Sequence, residues 1–258
     1  MLKKIKEIMA YRQMLESLVL TDLRTRYKGS FFGFLWTLLN PLLMLMIYSL
    51  VFKYVMRVQL ENYTTYLFIG LIVWTLLSQS ILSGAGAIIR NSGLVKKIYF
   101  PREILPLSVV LGGAVNFLFS LLILIPMLII NNISLGISIL LFPGILLIYL
   151  LFVLSITMIV SSINVYFRDM EHISNILVMA WFYITPIVYT TDMIPDSLQS
   201  VFNLNPMKVV ISSFHDMFFF NKLPNTGDLI YLICVTILLL IISSFLFKKL
   251  SRKFAEEI

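Results

Sequence analysis

Residues 21–41 read TDLRTRYKGSFFGFLWTLLNP. Arg24, Arg26 and Lys28 stand against an apolar run that begins at Phe31, with only Gly29 and Ser30 between. A cationic segment set hard against residues that water rejects belongs at a bilayer surface, where the charge stays wet and the run enters hydrocarbon. The whole chain carries this pattern. Of 258 residues, 59% are hydrophobic and 13% are charged, and the mean hydropathy is +0.94. A soluble domain carries nearer a quarter charged residues, so the chain is expected to be all-α and integral to a membrane.

Six runs are long enough for the roughly 20 helical residues that a bilayer core requires. They fall near 33–54, 64–89, 104–130, 138–165, 172–190 and 228–247, within a body spanning 31–258. An even number of spans puts both termini on one side. Sixteen of the twenty basic residues then fall on that side, before span 1, between spans 2 and 3, between 4 and 5, and after span 6. Only Lys53, Arg57, Lys208 and Lys222 fall opposite. The positive-inside rule makes both termini cytoplasmic. The net charge of +7 is thereby explained by orientation, and nucleic acid is not implied.

Two segments depart from plain spans. Residues 1–30 repeat apolar positions at helical spacing among Lys and Arg, with Asp22 placed to pair with Arg26, which predicts one amphipathic helix in the cytoplasmic interface. The outer loop 191–227 contains SLQSVFNLNPMKVVISSFHDMFFFNKLPNTG, too apolar for an ordinary loop. Asn205-Pro206 has the signature of a helix start, giving two short helices, 195–204 and 206–220, either re-entrant or lying flat on the interface. Either arrangement covers an exit.

Chemistry is as informative where it is missing. No glycine precedes a lysine, so there is no G-x-x-x-x-G-K phosphate loop. The middles of the six runs lack Asp, Glu, Lys, Arg and His, which leaves no evident proton or ion relay. His172 and His215 sit at the predicted membrane edges, a lone Cys234 lies in an apolar run, and no metal-ligand spacing occurs. Energy for any transport must come from a partner. Span 1 places Trp36, Asn40, Met44 and Tyr48 four apart, followed by Phe52; span 5 places Trp181, Thr185 and Tyr189 four apart beside Pro186. Ring faces with neutral hydrogen-bonding groups suit sugars, although aromatic belts and helix packing use the same residues.

Five stretches resemble the ABC type-2 permeases that export O-antigen, teichoic acid and capsule. They are DLRTRYKGSFFGFLWTLLNPLLMLMIYSLVF at 22–52, YFPREILPLSVVL at 99–111, NVYFRDMEHI at 164–173, ITPIVY at 184–189 and LNPMKVVI at 204–211. The resemblance implies a homodimer of six-span subunits in a bacterial inner or plasma membrane. Two separate cytoplasmic ABC ATPases would bind the ATP and Mg, and the cargo would be an undecaprenyl-linked polysaccharide. It makes Arg24, Arg26 and Tyr27 part of an ATPase-facing interface helix. Leu94, Val95, Lys96, Lys97 and Tyr99 become a coupling helix that docks in the ATPase. Arg168 and Asp169 become a conformational ion pair, and spans 1 and 5 the channel walls. Asn205, Pro206, Phe214 and His215 fall in the outer gate, where the family usually has Tyr-Arg instead of Phe214-His215. Two rivals stay open: a related permease for a lipid or drug, and a membrane glycosyltransferase using Asp192, Asp196 or Asp216.

Overall fold

The computed structural model describes residues 2–26, 29–55 and 60–258, and among them every regular element is helical. Tyr27, Lys28 and Arg57 lie outside the described residues, as do the side chains of Arg26, Lys53 and Asp192. Short helices α1 (Leu2–Ala10) and α2 (Arg12–Arg26) precede α3 (Trp36–Ser49), which runs on into a π-helical turn, Leu50–Val55. Then come α4 (Tyr63–Ala85), α5 (Ala87–Arg90), α6 (Ser92–Lys97), α7 (Ile104–Ile130), α8 (Phe142–Asn164) and α9 (Met170–Ile184). The chain closes with α10 (Asp196–Asn203), α11 (Pro206–Phe218), α12 (Thr226–Leu250) and α13 (Phe254–Glu257).

Helices α4, α7, α8 and α12 are long and apolar enough to cross a bilayer, matching runs two, three, four and six. The first run forms a shorter apolar helix, Trp36–Phe52. The fifth corrects an expectation: 172–190 is not one continuous helix. It ends at Ile184 after 15 residues, about 22 Å at 1.5 Å per residue. Pro186 explains the stop, because a proline forces the preceding residue out of the helical region, and Thr185 is extended at φ −106, ψ 130. The non-helical stretch that follows is packed inside protein. Ile187 and Val188 are buried, and the Tyr63 hydroxyl donates to the Val188 carbonyl at 2.7 Å. Irregular backbone at membrane depth requires that kind of cover.

Helix α4 is the hub. It is buried nearly all round, against α3, α7, α8, α9 and α11, which is what a helix apolar on every face requires. Where α4 crosses α8, a Cβ on Gly84 would come within 2.2 Å of Thr157, so only glycine permits that approach. Helix α12 packs mainly on α8 and leaves Ile230, Leu238, Ile241 and Phe245 exposed, an apolar face suited to lipid or another subunit.

The N-terminal region is two helices, not the single one expected. They break at Tyr11, whose hydroxyl donates to the Tyr99 carbonyl at 3.2 Å. Helix α2 leans on α7, where Asp22 reaches the space over Gly112. A second apolar cluster gathers this end of the molecule: Val95, Phe100, Ile104, Phe247 and Phe254 are buried together, with Ile8, Tyr11, Leu15 and Leu18 against them. Both termini therefore share one end of the bundle.

Candidate functional site

Helices α3, α4 and α9 enclose an open-sided groove of about 770 Å³. Asn40, Met44 and Tyr48, one helical turn apart, come from α3. Helix α4 adds Trp74, Thr75, Ser78 and Gln79, and α9 adds Asn175, Met179, Phe182 and Tyr183. The Phe182 ring meets Tyr48 at 5.7 Å and Trp74 at 5.6 Å, so one side chain ties the three walls into a common floor. The hydroxyl hydrogens of Thr75 and Ser78 are committed to the carbonyls of Leu71 and Thr75, at 2.7 and 3.2 Å. Their oxygens keep free lone pairs. Asn175 likewise donates to the Glu171 carbonyl at 2.8 Å and retains its amide oxygen. Among the described residues no Asp, Glu, Lys, Arg or His lines the groove, which offers ring faces and neutral, mostly accepting oxygens.

The expected stripe on α3 is brought together in part. Trp36 lies below the groove, lining a small neighbouring cavity and donating from Nε1 to Ser30 Oγ at 2.8 Å. Phe52 sits on the π-helical turn beside Tyr48, ring centroids 6.3 Å apart, and is half-buried. The stripe expected on span 5 is corrected. Trp181, Thr185 and Tyr189 do not line the groove. Trp181 turns inward, edge-on to Trp74 at 6.2 Å and Phe152 at 6.4 Å. Thr185 is fully buried, and Tyr189 donates to the Tyr183 carbonyl at 2.8 Å. The physical reason is that an indole N–H turned into protein needs an acceptor, and Asn205 supplies it to the half-buried Trp181. Asn205 Oδ1 accepts from Trp181 Nε1 at 2.9 Å, while its Nδ2 donates to Thr185 Oγ1 at 3.0 Å and the Ile184 carbonyl at 3.2 Å. The groove face of α9 is instead the one that carries Asn175, Met179, Phe182 and Tyr183. The contribution of α4 was missed, though Thr75 and Gln79, spaced one turn apart in an apolar run, were its signal.

At the far end, Asn205 does cap α11, its Oδ1 accepting from the Met207 N–H at 3.0 Å, with Pro206 in the first turn. Phe214 and His215 do not face an exit and are buried in the subunit's own core. Phe214 packs edge-on against Phe117, Phe142 and Tyr149. His215 was expected at a membrane edge; instead it stacks on Tyr66, 3.8 Å between centroids, and its Nε2–H donates to the Tyr66 carbonyl at 2.9 Å. Burial pushes this imidazole down to about 4, against the smaller upward pull of that hydrogen bond. Two depths result: α11 is sunk in protein, while α10 has no buried residue.

At the termini end, α6 splits into two faces. Val95 is buried and Leu94 half-buried against the second cluster, so the expectation that they dock outward is corrected. Apolar side chains next to an existing core complete it. Lys96, Lys97 and Tyr99 project outward, Tyr99 at 86% exposure, and Arg24 is exposed on α2. Arg168 and Asp169 are both exposed in the turn between α8 and α9, and among the described residues no ion pair joins them. The charges that meet nearby are Arg90 and Glu171, which share the space over Gly86.

Residues 14–219 match the family model described as ABC-2 type transporter. The chain is 39% identical to the O-antigen export system permease protein RfbA of Myxococcus xanthus, over the full length of both. It is also 37% and 36% identical to two O-antigen export system permease proteins RfbA of Klebsiella pneumoniae, over 91% of each chain.

Proposed function

The chain belongs to the ABC-2 type transporter family, and from that membership we propose that it is the permease subunit of an ATP-driven polysaccharide exporter. The cargo is a lipid-linked glycan of O-antigen type, moved from the cytoplasmic to the outer side of a bacterial inner membrane. The observation that carries this reading is the groove. Its ring faces stack on the C–H faces of sugars, and its accepting oxygens meet donated hydroxyls without a charge that would hold one glycan too firmly. Such a lining tolerates many sugar sequences, as a sliding polymer needs.

The groove is open on one side. A polymer is enclosed only if a second copy supplies the other wall, so the working unit is a homodimer. Two ATPase subunits of separate sequence bind ATP and Mg²⁺ on the cytoplasmic face, where both termini lie. Their contacts are Arg24, Lys96, Lys97 and Tyr99, exposed on one end of the bundle. ATP binding closes the ATPases and moves α6. Because Val95 and Leu94 are set in the apolar cluster with Phe247 and Ile8, the push reaches α7, α8 and α12 as one body. Asn205 ties the end of α9 to the start of α11, so a shift of the groove wall is passed to the helices that cover the exit.

The test is a deletion strain. It accumulates the glycan-lipid on the cytoplasmic leaflet, and affinity-purified permease brings down an ATPase of separate sequence. Normal surface glycan in the deletion strain, or a permease active alone, sinks the proposal.

A further inference from the structure

Behind the groove wall lies a second, much smaller cavity of about 20 Å³, lined by α3, α4 and α7. Asn40, Thr75 and Gln79 line both spaces, so they form the partition between them. Two polar atoms at this junction are buried without a partner: Asn116 Oδ1, on a residue 9% exposed, and Ser80 Oγ, which abuts Gly113. Asn116 and Gly113 both line the cavity. A buried amide oxygen left unpaired has lost its hydration with nothing in return, so an occupant that satisfies it is favoured.

The lining specifies that occupant. The Ser120 hydroxyl donates to the Asn116 carbonyl at 3.0 Å and the Thr75 hydroxyl donates to the Leu71 carbonyl at 2.7 Å. Each has spent its only hydrogen, so toward the cavity both oxygens can only accept. With Asn116 Oδ1 they offer three acceptors beside a space sized for one probe sphere, which fits one water donating its two hydrogens to Asn116 Oδ1 and one of the two hydroxyl oxygens. A cation would also meet acceptors, but among the described residues no carboxylate lines the cavity to balance a buried charge.

We propose that this cavity binds one water molecule, which acts as the hydrogen-bonded pivot of α3 against α4 and α7. Helix α3 carries Pro41 in its interior, at the level of the cavity, and proline removes one i→i−4 bond there. A helix so weakened bends at low cost when a mobile donor can follow its polar groups. The pivot role rests on the exporter reading, in which α3 is one wall of the cargo groove; the water site does not.

The experiment is a density map of the exporter, permease with its ATPase subunits in lipid nanodiscs, at a resolution that shows ordered waters. It is paired with export assays on Asn116→Leu, which fills the cavity and removes the acceptor. Expected are one solvent peak about 3 Å from the Asn116 amide in the wild type, and no peak in the variant. The variant's melting temperature holds or rises, since an unpaired polar group is replaced by an apolar one. Its export falls about fivefold or more. A merely structural role would lower stability and export together. A dry cavity, or a peak at cation distances, overturns the site; wild-type export by Asn116→Leu overturns the pivot. Should that variant fail to assemble, Asn116→Ser keeps an acceptor and must export normally with its solvent peak present. A defect there also overturns the pivot. A wild-type protein that exports no glycan fails the exporter reading and leaves the map test standing.

Discussion

Asn205 carries more hydrogen bonds than any capping role needs. Its amide takes two donors and gives two hydrogens, joining Trp181, Thr185, the Ile184 carbonyl and the Met207 N–H. Replacing it with alanine removes a cap and also takes their partner from the half-buried Trp181 indole N–H and the Ile184 carbonyl. Asn205→Ala is therefore expected to cost about 3 kcal/mol, more than the roughly 1 kcal/mol of a cap alone. Thermal unfolding of purified protein measures it, and a double-mutant cycle with Trp181→Phe should return a coupling energy; additive losses would refute the shared node. His215 gives the second prediction at this scale. Its imidazole titrates near 4 when folded and near 6.5 when unfolded, so the unfolded state takes up the proton first. Stability from this group is complete above about pH 6.5 and is lost as pH falls toward 4. The thermal midpoint should fall across that window, and His215→Gln, which keeps a donor for the Tyr66 carbonyl, should flatten the decline. The helix start at Asn205-Pro206 was legible because capping is local chemistry. The burial of Thr185 and Phe214 was not, since which face of a helix turns inward depends on partners far away in the chain.

Among the elements, α6 makes the clearest demand. Lys96 and Lys97 are exposed while Val95 is held in the apolar cluster, so charge can be changed without disturbing packing. Lys96→Glu with Lys97→Glu should leave the assembled complex hydrolysing ATP while export falls about tenfold. Unchanged export would move the coupling contact elsewhere, and loss of assembly would show in the purified stoichiometry. Four long spans were legible from length and apolarity alone, because those two properties decide whether a helix crosses a bilayer. The fifth run had both properties up to Ile184, and the backbone rule at Pro186 overrode them. Tyr11 gave no such warning in the sequence, where neither Gly nor Pro marks the break between α1 and α2.

For the molecule as a whole, the two termini were expected on one side from the even number of spans, with charge choosing the side; the second apolar cluster brings Ile8, Phe254 and Ile258 together at one end. The groove was only half legible. Tyr48 and Asn40 declared themselves by spacing on an end-of-bundle helix, whereas Trp74, Thr75 and Gln79 sit on the most buried helix and resembled packing. If the three walls act on a polymer together, Tyr48→Ala combined with Phe182→Ala should slow long glycans more than short ones. Chain-length profiles of surface glycan measure this, and an unchanged profile would return those rings to a packing role.

The convergence of Ile8, Val95, Phe247 and Phe254 in one cluster has a consequence for biogenesis. Residues nearly 250 positions apart in the chain, Ile8 and Phe254, complete the same patch. The face bearing Lys96 and Tyr99 thus stays unfinished until Phe254 has been made, and a nascent chain cut before it offers no firm platform. A subunit that stops before Phe254 should be inserted in the membrane, left unassembled and cleared by proteolysis.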